Sequence, residues 1–130
     1  MKKYAVILLL SASHAYADVP SEKQHEVQHL MRFVKSSGCQ IVRNGSAHNA
    51  ADALKHIQKK YDYFKDDIST SEEFIAYSAT KSTMTGRYYL VECVGKETVK
   101  TRDWLLQELQ QYRVKERSRG SNVAGVGFYL

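Results

Sequence analysis

The most familiar chemical spacing in this sequence is His25-Glu26-Val27-Gln28-His29, which matches H-E-x-x-H. In that motif two histidines bind zinc and the glutamate acts as general base of a hydrolase. A catalytic zinc needs a third protein ligand, and the extended motif fails because Arg32 and Lys35 occupy its glycine and third-histidine positions. On a helical wheel both histidines fall opposite the apolar stripe, so we interpret them as a solvated face. No metal ligand is assigned, and a small metal-dependent hydrolase stays an alternative.

Four basic side chains surround the predicted start of a helix near residue 50: Arg43, His48, His56 and Lys60. A helix N-terminus presents unpaired N–H groups and a positive dipole, which together attract anions. Arg43 and His48 stand beside that helix end in the chain. The four residues are therefore candidate ligands for a carboxylate, phosphate or sulfate group.

Two other interpretations of this basic cluster stay open. His56 and Lys60 fall at the edge of the apolar face of the predicted helix, where long side chains often pack against a core. A catalytic use of the histidines has no partnered nucleophile at a readable spacing, so no catalytic residue is assigned. The hydroxyl groups of residues 82–85 would add donors if the third helix ends nearby.

The periodicity of apolar residues predicts four helices and two strands. The order is α-β-α-α-β-α, and the strands lie far apart in the sequence. We expect a mainly helical, single-domain α+β fold around a small two-stranded antiparallel ribbon. The predicted helices cover about 22–36, 50–64, from near 71, and 102–116, and the predicted strands cover about 39–42 and 88–94.

The two cysteines, Cys39 and Cys93, predict one structural disulfide. A redox or metal-binding pair is disfavoured because the chain has no C-x-x-C spacing. The bond would close a loop of roughly 55 residues, for which chain entropy gives about 4 kcal/mol of stabilisation. It would join the start of one strand to the end of the other, which suits an antiparallel pair.

The N-terminal residues 1–17 have the pattern of a secretory signal peptide. Lys2 and Lys3 precede a short apolar run, and Ala15-Tyr16-Ala17 has the small-x-small form of a cleavage site. We expect cleavage after Ala17, a globular domain over 18–116 and a periplasmic location. Outside the signal the sequence contains no apolar run long enough to span a bilayer.

The charge distribution argues against nucleic acid as a partner. The formal charge is +5, and residues 113–119 supply all of the excess that remains once Lys2 and Lys3 are removed. The rest of the predicted domain is balanced, so no basic face is expected on it. Residues 117–130 are predicted to be a flexible tail, which leaves open a structural or interaction protein that acts through this tail.

Two sets of residues along the chain form a specific pattern. They are Arg43, Asn44, Gly45, His48, Ala53, His56 and Lys60, then Phe74, Ile75, Ala79, Ser82, Thr85, Gly86 and Tyr89. This pattern resembles the YfeK-type family, small exported proteins of Gram-negative bacteria with a domain of unknown function. The resemblance spans about 24–114, with departures at Val42, Ile57 and Tyr88, and residues 117–130 extend past the usual end of the family. It implies an exported single domain and no established chemistry.

These observations together predict a non-catalytic binding or adaptor domain for an anionic envelope ligand or a protein partner. No cofactor is expected. The pattern does not name the ligand, the partner protein or the oligomeric state.

Overall fold

The architecture is known from a computed structural model that describes residues 3–7 and 18–126. Residues 3–7 are exposed and have no regular structure, and the remainder of the predicted signal peptide lies outside the described residues. The helices are α1 (Gln24–Ser36), α2 (Ala50–Phe64), α3 (Ser71–Ser78) and α4 (Thr101–Val126), and the strands are β1 (Gln40–Arg43), β2 (Ser46–His48), β3 (Leu90–Glu92) and β4 (Val99–Lys100).

The sheet has four antiparallel strands in the order β2-β1-β3-β4. The two predicted strands form its central pair, in which Ile41 lies opposite Val91. The predicted two-stranded ribbon is therefore wrong in strand number. Asn44 and Gly45 both have positive φ, 50° and 82°, and this geometry makes a two-residue hairpin loop that returns the chain as β2. The fold class, a small single-domain α+β protein, is confirmed.

A disulfide joins Cys39 to Cys93, as predicted. Cys39 directly precedes β1 and Cys93 directly follows β3, and the neighbouring cross-strand pair is Gln40 with Glu92. The bond thus ties the two central strands at one end of the sheet, although they lie more than fifty residues apart in the chain.

The helices pack on one face of the sheet and on one another around a single core. Asn49 caps α2 by accepting a hydrogen bond from the backbone N–H of Asp52, and Thr70 caps α3 in the same way through Glu73. Both helices therefore begin where their sequence signals predict. The core side chains are Val27, Leu30 and Val34 of α1, Ala53, Ile57 and Tyr61 of α2, Phe74 and Ile75 of α3, Leu105 and Leu109 of α4, and Ile41 and Val91 of the sheet.

Helix α4 extends ten residues past its predicted end, from 116 to Val126. The flexible tail predicted for 117–130 is thus helical over its first ten residues. Lysine, arginine and glutamate favour helices even without an apolar stripe, and Glu116 lies 3.7 Å from Arg119 one turn away. Residues 127–130 lie outside the described part of the chain.

No helix in the described residues is both long and apolar enough to cross a membrane.

Candidate functional site

The inner face of the sheet carries the first group of predicted site residues. Side chains alternate along a strand, so Arg43 shares the face of the buried Ile41. His48 and Val91 are the cross-strand partners of Ile41, and Tyr89 precedes Val91 by two residues. Arg43, His48 and Tyr89 therefore lie on the face that the helices cover.

Helix α2 packs across β1 and brings two more basic side chains to this face. Ala53 and Ile57 are buried in the core, and the helical spacing places His56 and Lys60 beside them at the border of the sheet. The result is a small pocket of about 230 Å³, called here the Arg43 pocket. Its lining residues are Arg43, Asn44, His56, Lys60, Ser82, Thr83, Met84 and Tyr89.

The Tyr89 hydroxyl connects the two basic groups of α2. It lies 3.2 Å from His56 Nε2 and 3.3 Å from Lys60 Nζ, and Lys60 Nζ also donates to the carbonyl of Lys81 at 2.7 Å. An ammonium group only donates, so the hydroxyl oxygen accepts from Lys60. The direction of the Tyr89–His56 hydrogen bond depends on which ring nitrogen of His56 carries the proton.

The electrostatic field of the pocket opposes further positive charge. Burial, together with the nearby Arg43 and Lys60 cations, lowers the pKa of His56 from 6.5 to about 4. Burial and Arg43 also lower the pKa of Lys60. Burial raises the pKa of Tyr89, whose hydroxyl therefore keeps its proton at neutral pH.

Arg43 lines the pocket and has one side-chain donor without a partner among the described residues. Its Nε atom is buried and has no hydrogen-bond partner among the described residues. None of the described residues that line the pocket is acidic. A buried donor left unpaired costs free energy.

The loop after α3 forms the opposite wall and is fastened to the β1–β2 turn. Asn44 Nδ2 donates to Ser82 Oγ at 3.4 Å, and Thr85 Oγ1 donates to Asn44 Oδ1 at 2.7 Å. The backbone N–H of Thr85 also donates to Ser82 Oγ at 3.2 Å. Ser82 and Thr83 therefore line the pocket, whereas the Thr85 hydroxyl is occupied by Asn44.

The structure brings together three of the four predicted site residues: Arg43, His56 and Lys60. His48 lies on the same sheet face and is close enough to lower the pKa of His56, but it does not line the pocket. The predicted position at the N-terminus of α2 is wrong, because His56 and Lys60 place the pocket beside the second and third turns. At the helix start, the Asn49 side chain already accepts the N–H of Asp52.

Tyr89, which connects His56 to Lys60, was not predicted as a site residue. Its alternation with Val91 along one strand was the available signal. The strand pairing that sets it opposite α2 involves residues about fifty positions apart, and local patterns do not specify such pairing.

The histidines of the H-E-x-x-H segment contact α4. His25 Nδ1 lies 2.8 Å from the Tyr112 hydroxyl. His29 Nε2 lies 2.8 Å from Glu108 Oε1, and its ring stacks on Tyr112 at a centroid distance of 4.0 Å. His25 is exposed as predicted, but the prediction for His29 is wrong, because helix α4 half-buries it.

The glutamate of this segment, Glu26, is a structural residue. It is only 2% exposed and accepts two hydrogen bonds from Arg113, at 2.7 and 3.0 Å, and one from Ser71 at 2.8 Å. The Arg113 hydrogen bond lowers the pKa of Glu26 from 4.5 to about 2, although burial opposes the shift. Within residues 3–7 and 18–126 no three His, Cys, Asp or Glu side chains are grouped to hold a metal.

Comparison with known proteins gives the family. Residues 21–113 match a family of unknown function, DUF5329. The chain belongs to this family. It is also 33% identical to "Uncharacterized protein YfeK" of Salmonella typhimurium strain LT2 over 92 residues, which are 68% of this chain and 77% of that protein. No solved structure matches the chain. The resemblance seen in the sequence motifs is confirmed, and the DUF5329 match includes every residue of the Arg43 pocket.

Proposed function

We propose that this chain is a non-catalytic binding or adaptor domain that holds an anionic group of an envelope ligand or partner protein in the Arg43 pocket. The observation that carries the proposal is the buried, unpartnered Nε of Arg43. Arg43 lines a pocket that Lys60 also lines.

The charge balance supports an anion as the ligand. Arg43 is permanently cationic, and Lys60 donates to two oxygen acceptors as an ammonium group does. The guanidinium fork matches carboxylate and phosphate oxygens well. Because no described lining residue supplies a carboxylate, the negative charge would come from a ligand.

Binding rather than catalysis fits the state of the potential reactive groups. The Nε2 atom of His56 is engaged by Tyr89. The Ser82 oxygen accepts hydrogen bonds from Asn44 and from the backbone of Thr85. Among the described residues it makes no hydrogen bond to a basic nitrogen that would activate it. A metal-dependent hydrolase that uses the H-E-x-x-H segment would lack an available general base, because Glu26 is paired with Arg113.

An exported, periplasmic location is part of the proposal. The signal-like residues 1–17 motivate it, and the Cys39–Cys93 disulfide is typical of an oxidising compartment. Envelope carboxylates, phosphates and protein side chains are the anions that such a location offers.

Calorimetric titration with sulfate, phosphate and acetate tests the proposal. Arg43→Met and Lys60→Gln should each weaken binding at least about tenfold, which corresponds to 1.4 kcal/mol. Lys59→Gln is the matched control, because Lys59 is exposed on the same helix and does not line the pocket. Failure of all three anions to bind, or equal losses in Lys59→Gln, would refute an anion site.

The far end of α4 supports a second candidate, an interaction surface. Arg117 and Arg119 are exposed, and they belong to the segment 117–130, for which the sequence leaves an interaction role open. Deletion of 117–130 should leave anion binding intact, and loss of a captured envelope protein in a pull-down would assign the partner to this segment. An identical set of captured proteins with and without the segment would exclude it.

A further inference from the structure

A second concavity adjoins the Arg43 pocket. It has a volume of about 360 Å³, and it shares Lys60, Ser82 and Thr83 with the Arg43 pocket. The two concavities are therefore neighbours with part of their walls in common, and together they are called the groove. The other residues of the second concavity are Phe64, Ala76, Tyr77, Lys81 and Gly86.

The walls of this second concavity are mostly apolar and aromatic. Phe64 is half-buried and Tyr77 is 39% exposed, and their ring centroids lie 5.4 Å apart. Ala76, on the same helix as Tyr77, is exposed beside them. Small-molecule sites of roughly 300–1,000 Å³ typically combine such apolar walls with a few placed polar groups.

The polar groups are concentrated at one end of the groove. The cation of Arg43 and the neutral imidazole of His56 line the first pocket only, whereas Phe64 and Tyr77 line the second only. Lys60 stands between them, with its ammonium group held by the Lys81 carbonyl and the Tyr89 hydroxyl. A ligand that fills the groove would thus meet positive charge at one end and aromatic surface at the other.

We propose that the groove binds a small amphiphilic organic anion, with its carboxylate or phosphate at Arg43 and an apolar ring against Phe64 and Tyr77. This inference rests on the proposed anion site and adds the chemical class of the rest of the ligand. Arg43 lines only the first pocket and the two aromatic rings line only the second concavity, which sets the orientation of the ligand. The cationic side chains that line the second concavity are Lys60 and Lys81.

Matched ligand pairs test this inference separately from the anion site. Phenyl phosphate should bind about tenfold more tightly than inorganic phosphate, and phenylacetate more tightly than acetate. Tyr77→Ala should reduce phenyl phosphate to the affinity of inorganic phosphate and leave inorganic phosphate unchanged. Tyr88→Ala is the control, because Tyr88 has a similar exposure of 44% and lines neither concavity.

Each other outcome is decisive. If phosphate binds through Arg43 but the phenyl group adds nothing, or Tyr77→Ala has no effect on phenyl phosphate, the ring site is refuted and the anion site stands. If neutral benzyl alcohol binds as tightly as phenyl phosphate, the amphiphilic class is refuted. If neither phosphate nor phenyl phosphate binds, the anion site fails and the inference falls with it.

Discussion

Two regions of this molecule each bury part of an arginine side chain, and they differ in whether that arginine has an acidic partner. At the contact of α1, α3 and α4, Arg113 is paired with Glu26 and with Glu72. In the Arg43 pocket the described residues supply no acidic partner, and the buried Nε is unsatisfied. The paired Arg113 stabilises the packing of the helices, whereas the unpaired Arg43 is available to bind a ligand.

The pKa values of the neighbouring groups reflect the same difference. Arg113 lowers the pKa of Glu26 to about 2, because it stabilises the carboxylate. In the pocket, burial and the Arg43 and Lys60 cations lower the pKa of His56 to about 4. The surroundings of Glu26 thus stabilise its carboxylate, whereas the surroundings of His56 oppose protonation of its ring.

The largest expected effect is the loss of the paired arginine. Arg113→Met should lower the free energy of unfolding by about 3–5 kcal/mol, because it leaves the buried Glu26 carboxylate without its partner. Urea unfolding at neutral pH measures the change. Glu72→Gln is the control and should cost at most about 1 kcal/mol, since that carboxylate is 47% exposed. Equal costs for the two variants would contradict a buried structural pair.

Acid should weaken the two regions in different pH windows. Glu26 has a folded pKa of about 2 against 4.5, so its contribution is present above 4.5 and is lost as the pH falls toward 2. His56 has a folded pKa of about 4 against 6.5, so stability also falls between 6.5 and 4, where the unfolded chain binds the proton first.

Urea unfolding over pH 2–7 separates these windows. His56→Gln should flatten the stability profile between pH 6.5 and 4, and Glu26→Gln should flatten it below 4.5. A wild-type profile that stays flat from 6.5 to 4 would remove the basis for a neutral, partly buried His56.

The smallest expected stability effect belongs to the unpaired arginine. Arg43→Met should change the free energy of unfolding of the ligand-free protein by no more than about 1 kcal/mol, because Arg43 has no ion-pair partner among the described residues. The same variant should abolish stabilisation by sulfate in a thermal melt. Destabilisation as large as that of Arg113→Met would show that Arg43 has a structural partner, and would reverse the comparison.

Sequence patterns predicted the parts of the fold that depend on near neighbours. The starts of α2 and α3 and the core stripes follow from local patterns, and the single possible disulfide follows from the count of two cysteines. The outer strands were missed because β2 and β4 have only three and two residues, too few for a periodic signal. The burial of Glu26 was missed because its partner Arg113 is 87 residues away.

The candidate site was likewise predictable only in the parts that do not depend on contacts between distant residues. Arg43, His56 and Lys60 stood out by residue type, and their convergence follows once α2 packs on β1. The position of Tyr89 in the pocket depends on the pairing of β3 with β1. His48 lies outside the pocket because it is on the outer strand β2. Which of several nearby basic residues share a pocket is a property of tertiary packing.

The most direct test of the anion site is an NMR titration of the His56 ring with and without saturating sulfate, at ionic strength matched with chloride. An anion beside Arg43 would offset the cations that oppose protonation of His56. We predict a pKa of about 4 in chloride, a higher pKa in sulfate, and no sulfate effect in Arg43→Met. An identical His56 pKa in the two salts would contradict the account.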